Sequence, residues 1–102
     1  MEWQFDNDRP IYAQLVEFIE QAVATGEYPA GSKLPGVREM AADAGVNPNT
    51  MQRALAELEA RGLLFTQRTS GRYVTEDDSL IKSSRQQMAK SLAGKYAGSM
   101  QA

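Results

Sequence analysis

Polar side chains at positions 49–53 are the residues of this chain best suited to recognising DNA bases. Asn and Gln can bind adenine through two hydrogen bonds, Arg can bind guanine in the same way, and Thr can contact a phosphate or a thymine methyl group. At about 100° per residue, Asn49 and Arg53 lie opposite the apolar side of a helix, with Thr50 and Gln52 on its flanks. The pattern predicts a base-reading helix face. A solvated polar face would show the same residues, so the surrounding elements decide between the two.

The helix that carries these side chains has clear start and end signals. Asn47 can cap its first turn, Pro48 suits its first helical position, and Gly62 ends it. Its inward residues, spaced three, one and three apart, are Met51, Ala54, Leu55 and Leu58. A shorter helix is predicted over residues 37–44, with Gly45 as its left-handed stop. Two helices joined by so short a turn predict a helix-turn-helix.

A β-hairpin is predicted directly after these two helices. Residues 63–68 and 72–75 have strand character, and Thr69-Ser70-Gly71 separates them with glycine last, as in three-residue hairpin loops. An amphipathic helix that begins at Pro10 precedes the helix-turn-helix. The expected fold is therefore an α+β winged helix-turn-helix, made of three helices plus a β-hairpin wing. Trp3 and Phe5 are expected to form an arm or a short strand against its core.

Basic side chains outside the third helix are candidates for phosphate contacts. Arg38 lies near the start of the second helix, where a guanidinium and backbone N–H groups can together hold a phosphate. A surface ion pair with Glu39 or Asp43 is the alternative. The hairpin tip could reach the minor groove or the DNA backbone, unless it is an ordinary charged hairpin. Its candidate residues are Arg68, Ser70, Gly71 and Arg72.

Three other charged groups carry simpler expectations. Lys33 and Arg61 are expected to be plain surface charges. Glu57 stands four residues after Arg53, so a weak ion pair within the helix is expected when no DNA is present.

Composition limits the classes of function. The chain has 102 residues, no Cys, no His and no apolar run long enough to cross a bilayer, which predicts one domain without thiol chemistry, disulfides or histidine catalysis. Its start lacks the basic and apolar regions of a signal peptide, so we expect a cytoplasmic protein. The net charge is −2, yet residues 1–32 hold one basic and six acidic side chains whereas residues 33–72 hold six basic and four acidic ones. Specific DNA binding needs basic groups only on the contact face, so the acidic average leaves it open.

Two other classes of function are weaker alternatives. A winged helix can serve as a protein-interaction module without DNA binding, and the acidic sequence pI of about 5.1 favours that use. An enzyme would have to work with paired carboxylates, and the acidic residues are scattered over exposed helix positions with no shared cleft. We therefore predict no enzymatic activity, no cofactor and no metal site.

Residues 76–102 are expected to form a helical tail beside a DNA-binding domain of residues 1–75. Acidic residues and a cap at 76–79 favour a helix start. A thin apolar stripe follows, and it consists of Ile81, Met88, Leu92 and Tyr96. Such a stripe suits a dimerisation helix, and the alternative is a helix folded back on its own domain or a frayed tail.

The chain also resembles a known family. Residues 10–15, 26–39, 46–54 and 58–63 are similar, in order and spacing, to the motifs of the GntR family of bacterial transcription regulators. Asn47-Pro48-Asn49-Thr50 and the short tail are most similar to the YtrA-like subfamily. The family usually has Ser where this chain has Gly36, which removes a helix cap, and its wing usually reads Gly-x-Gly where this chain has Thr69-Ser70-Gly71.

The resemblance implies a winged-helix repressor that dimerises on a pseudo-palindromic operator in double-stranded DNA. It implies DNA contacts from Arg38, from the start of the third helix at residues 47–53, and from the wing. A small-molecule effector of unknown identity is compatible with it, and a membrane partner is not expected.

Overall fold

The structure, a computed structural model, describes residues 2–101 and the side chains of residues 2–89. Its elements follow one another in the order expected for a winged helix. They are α1 (Ile11–Thr25), α2 (Val37–Ala44), α3 (Pro48–Ala60), β1 (Leu64–Gln67), β2 (Gly71–Val74) and α4 (Asp78–Gln101). The predicted fold is confirmed, with α4 as a fourth helix after the hairpin.

Local signals explain the turn between α2 and α3. Gly45 ends α2 with φ at 71°, a left-handed conformation in which glycine is favoured because a side chain would be strained. Asn47 then caps α3, because its side-chain oxygen accepts a hydrogen bond from the backbone N–H of Asn49 at 2.7 Å. Gly36, which precedes α2, provides no side-chain cap. The first N–H groups of α2 therefore receive no side-chain acceptor from position 36.

The hairpin differs by one residue from the sequence prediction. Gln67 pairs with Gly71, so the loop is residues 68–70 and not 69–71. Gly71 is the first residue of β2 and has φ at 122°, a backbone conformation that favours glycine. The connection between α1 and α2 pairs with the other edge of β2, since the Leu34 N–H donates to the Arg72 carbonyl at 2.9 Å. The wing is thus attached to the chain segment just before α2.

One hydrophobic core joins α1, α2, α3 and the base of the hairpin. Its largest fully buried apolar side chains are Leu15, Ile19, Met51, Leu55, Leu58, Leu64 and Val74. The arm before α1 packs beside this core, because the rings of Trp3 and Phe5 both meet Phe18 edge to face. Tyr28 lies on the connection after α1, and its burial, together with the carboxylates of Glu27 and Asp43, raises the pKa of its phenol.

The beginning of α4 belongs to the same core. Asp77 caps the helix by accepting from the N–H groups of Ser79 and Leu80, and Ile81 is only 8% exposed within the core. Ser84 donates to Glu20 at 2.8 Å, and the Arg85 guanidinium donates to a carbonyl at the end of α1. Ile81, which the sequence placed in a dimerisation stripe, therefore packs inside its own chain.

The rest of that stripe is only partly described. Met88 is half-buried, whereas Leu92 and Tyr96 lie outside the residues whose side chains the structure describes. Among the described residues, no helix has the length and apolar character needed to span a membrane.

Candidate nucleic-acid interface

The first half of α3 presents the polar face that the sequence predicts. Asn49, Gln52 and Arg53 are exposed, Thr50 is half-buried, and Met51 on the opposite side is fully buried. The placement follows from the helix period, because residues three and four apart share a face. The amide and guanidinium groups of this face have the donors and acceptors needed to read base edges.

Arg53 is held differently from the prediction. Its guanidinium carbon lies 4.7 Å from the centroid of the Tyr12 ring, a cation–π arrangement between α3 and α1. The expected partner, Glu57, pairs instead with Arg61 one turn further on, at 3.6 Å. A glutamate placed before its basic partner at i,i+4 is the better orientation on a helix, which is the physical reason for this choice.

Arg61 is also not the plain surface charge that the sequence suggested. Besides Glu57, it contacts Glu20 of α1 at 3.4 Å. Tyr12 joins the same group, because its hydroxyl donates to Glu57 at 3.3 Å. The end of α3 is thus attached to α1 through hydrogen bonds and ion pairs, while the polar face at its beginning meets α1 only where Arg53 lies over the Tyr12 ring, among the described residues.

Arg72 faces α3 and not the hairpin tip. Its guanidinium Nε lies 3.3 Å from Glu59 Oε1, and its side chain is only 15% exposed. The Thr66 hydroxyl donates to the same carboxylate oxygen. Cross-strand neighbours on one side of a hairpin share a face, and here that face is turned toward α3. Arg72, which the sequence names as a candidate DNA contact of the wing, is thus paired with Glu59 in the unbound chain.

The other tip residues lie as expected on the hairpin end. Arg68 and Gly71 are exposed, and the half-buried Ser70 donates to the side-chain oxygen of Gln67 at 3.2 Å. Arg68 forms no ion pair within the described residues. It is therefore the basic side chain of the tip whose charge is available in the unbound chain.

A groove of about 340 Å³ separates the wing from the start of α2. Its lining includes Lys33, Gly36 and Val37 on one side and Ser70 and Gly71 on the other. Lys33 approaches the tip closely, since its Cε lies 3.0 Å from where a Cβ on Gly71 would stand. Lys33 is a candidate contact that sequence reasoning missed, because only the pairing of residues 31–34 with β2 brings it there.

Arg38, at the second position of α2, is exposed and forms no ion pair among the described residues. Neither alternative partner, Glu39 or Asp43, takes its charge. The Asp43 carboxylate instead accepts a hydrogen bond from the Trp3 indole at 2.8 Å. The candidate phosphate contact is therefore open to solvent beside the groove residues.

The arrangement suits recognition of a polyanion. Free amide and guanidinium groups lie along α3, and cations stand at the start of α2 and on the wing. Within the described residues, no three acidic side chains come close enough to share a metal ion.

The sequence of this fold matches a known protein family. Residues 11–74 match the family described as bacterial regulatory proteins, gntR family. The chain therefore belongs to the GntR family of bacterial regulatory proteins, as its motifs indicated.

Particular relatives support the assignment. The chain is 40% identical over 81 residues to the HTH-type transcriptional regulator YhcF of Bacillus subtilis, covering 79% of this chain and 67% of YhcF. It is 40% identical over 68 residues to the HTH-type transcriptional repressor YtrA of the same organism, covering 67% of this chain and 52% of YtrA. The chain thus spans about half the length of YtrA.

Solved structures share the winged-helix fold. A GntR family transcriptional regulator from Listeria monocytogenes superposes with a TM-score of 0.89 at 43% identity, covering 95% of this chain and 85% of that one. AraR(DBD), solved in complex with operator ORX1, gives a TM-score of 0.67 at 28% identity and covers 74% of this chain and 96% of its own. Relatives of this chain are thus transcriptional regulators, and the domain it resembles binds operator DNA in AraR.

Proposed function

We propose that this protein is a cytoplasmic transcription repressor that binds a pseudo-palindromic operator as a homodimer, without a cofactor. The observation that carries the proposal is the exposed polar face of α3 at residues 49–53, in a chain that belongs to the GntR family. Operator binding by AraR(DBD) and the repressor YtrA support it by similarity.

Base reading is assigned to three side chains of α3. Asn49 and Gln52 can each bind an adenine edge, and Arg53 can bind a guanine through two parallel hydrogen bonds. All three are exposed, so no buried contact has to break before they reach a base. The beginning of a recognition helix is also the part that enters the major groove in helix-turn-helix proteins.

Phosphate contacts are assigned to residues that flank this face. Arg38 and Arg68 are exposed cations, Thr50 offers a hydroxyl, and the amide of Asn47 can donate while its oxygen caps α3. Lys33 joins them because it lies beside Gly71 at the wing. These contacts position the protein on DNA and add salt-dependent affinity without reading sequence.

The wing contributes through Ser70, Gly71 and Arg72 in two different ways. Ser70 and Gly71 lie at the groove and can approach the DNA backbone. Arg72 is paired with Glu59 in the unbound chain, so its first role is to hold the hairpin against α3.

Dimerisation is assigned to α4 beyond its contact with α1. Ile81 is used by the chain's own core, which leaves Met88, Leu92 and Tyr96 as the stripe for a second copy. Two α3 helices would then enter successive major grooves, with half-sites about one helical turn apart.

The test is selection from a random duplex library, followed by binding measurements at two salt concentrations. An inverted-repeat sequence with a steep salt dependence is expected. Arg53→Ala should lose about 1–3 kcal/mol of discrimination at one base pair, whereas Arg38→Ala should weaken all sequences alike and reduce the salt dependence.

Lys82→Ala is the matched control, because it removes one exposed positive charge from α4. It should leave base preference unchanged. A folded dimer that enriches no duplex would refute the proposal and favour a protein-interaction module, and unchanged base preference in Arg53→Ala would refute the assignment of Arg53.

A further inference from the structure

We propose that Tyr12 is a positioning residue for base recognition, which holds the Arg53 guanidinium ready to bind a guanine. The proposal rests on the DNA-binding function proposed above. It assigns a role to a side chain of α1, an element that is otherwise a scaffold for the helix-turn-helix.

The geometry that carries it is the stacked pair. The Arg53 guanidinium carbon lies 4.7 Å from the Tyr12 ring centroid, within the range of a cation–π contact. Tyr12 stands in the first turn of α1, and Arg53 in the exposed half of α3. The contact therefore joins α1 to the base-reading face of α3 at Arg53, the cation among residues 49–53.

The type of contact matters because it leaves the hydrogen-bond donors of Arg53 unused. The ring attracts the guanidinium charge through its face and takes the place of no carboxylate or carbonyl acceptor, and Arg53 forms no ion pair within the described residues. A carboxylate partner would occupy those donors and would have to be displaced by DNA. The Tyr12 contact orients the side chain and keeps its bidentate edge available for guanine O6 and N7.

Tyr12 can position Arg53 because Tyr12 is itself fixed. Its ring is half-buried and packs against the hydrophobic core, and its hydroxyl donates to Glu57 at 3.3 Å. Glu57 is held in turn by Arg61, which also contacts Glu20. An arginine stacked on a fixed ring loses less rotamer freedom on binding than a freely moving one.

Two variants of Tyr12 separate the ring from the hydroxyl. Tyr12→Phe keeps the ring and removes the hydrogen bond to Glu57, whereas Tyr12→Leu keeps an apolar side chain and removes the ring. The duplex selected by the wild-type chain first identifies the base pair at which Arg53→Ala loses discrimination. At that pair, we expect Tyr12→Leu to lose about two- to fivefold of the discrimination and Tyr12→Phe to retain it.

The double variant Tyr12→Leu/Arg53→Ala tests whether the effect passes through Arg53. It should show no loss beyond that of Arg53→Ala alone, and discrimination at the other base pairs should stay as in the wild type. An equal loss in Tyr12→Phe, a loss of affinity for every sequence, or a further loss in the double variant would overturn the proposal.

A measurement without DNA keeps this proposal distinct from the proposed function. Proton NMR of the unbound protein should show a ring-current shift of the Arg53 side-chain protons in the wild type and Tyr12→Phe, but not in Tyr12→Leu. Absence of the shift in the wild type would overturn the stack itself. A normal shift in a protein that selects no duplex would instead refute the DNA-binding function on which this role depends.

Discussion

The two halves of α3 bury apolar side chains of the same kind but use their polar side chains in opposite ways. In the first half, Asn49 and Gln52 form no side-chain hydrogen bond among the described residues, and Arg53 meets only the face of a ring. In the second half, Glu57 and Glu59 both accept hydrogen bonds from other elements.

The polar side chains of the second half fix α3 within the fold, whereas those of the first half are available to a ligand. The carboxylates of the second half attach α3 to α1 and to the wing through Tyr12 and Arg72. The first half is exposed, so water satisfies its polar groups at no structural cost and a ligand can replace that water. One helix can therefore be held rigidly at its end while presenting an uncommitted surface at its beginning.

The substitution with the largest expected effect removes apolar packing on which both halves of α3 depend. Leu55 lies between them and is 0% exposed, so Leu55→Ala should lower the free energy of unfolding by about 2–5 kcal/mol through lost burial and a residual cavity. Urea denaturation measures this loss. Ala56→Gln is the control, because Ala56 is exposed and the change should stay within about 0.5 kcal/mol. Equal losses in the two variants would contradict the burial pattern of α3.

The second prediction breaks the attachment of the wing to the second half. Glu59→Gln keeps the shape of the side chain but removes the charge that faces Arg72, and we expect stability to fall by about 1–2 kcal/mol. Released from its carboxylate, the Arg72 guanidinium keeps its charge and becomes available to phosphate. Affinity for all duplexes should then rise, with the slope of log affinity against log salt steeper by about 0.9.

Glu39→Gln is the matched control for this prediction. Glu39 is an exposed residue of α2 with no ion pair among the described residues, and its substitution changes the net charge equally. Stability should fall by no more than about 0.3–1 kcal/mol there, because Glu39 contributes only a favourable charge in the first turn of α2. Identical gains in DNA affinity from the two variants would show that net charge, and not release of Arg72, is the cause.

The contrast between the halves also marks what the sequence could predict. The bounds of α2, the stop at Gly45, the cap at Asn47 and the exposed face of α3 all follow from residue type and helix period. These features depend on neighbours within one or two turns. The polar face in the first half of α3 was predictable because most of its side chains make no contact with residues distant in sequence.

The contacts between separate elements were not predictable, because they depend on how those elements meet in the fold. Arg53 stacks on Tyr12 of α1, Arg72 turns to Glu59, and Lys33 reaches the wing only through pairing with β2. A local rule assigned Arg53 to Glu57, and a tertiary contact replaced it. Ile81 shows the same limit, since its spacing fits a partner helix as well as its own core.

The smallest expected effect concerns Asn47, the cap at the beginning of α3. Asn47→Ala leaves the N–H of Asn49 without its side-chain acceptor, and it should lower stability by about 1 kcal/mol. Asn47→Ser is the matched variant, because serine caps helices about as well and should keep stability near that of the wild type. Chemical denaturation measures both, and equal losses would contradict the cap.

DNA affinity in the same pair separates the cap from a direct contact. Serine restores the acceptor for the Asn49 N–H, but its shorter side chain carries one O–H donor in place of the amide's two N–H donors and reaches less far toward a phosphate. We therefore expect Asn47→Ser to fold like the wild type and to bind all duplexes more weakly, by the same factor for each sequence. Full recovery of affinity would mean that Asn47 serves DNA binding only by fixing the first turn of α3, so that the free surface begins at Asn49.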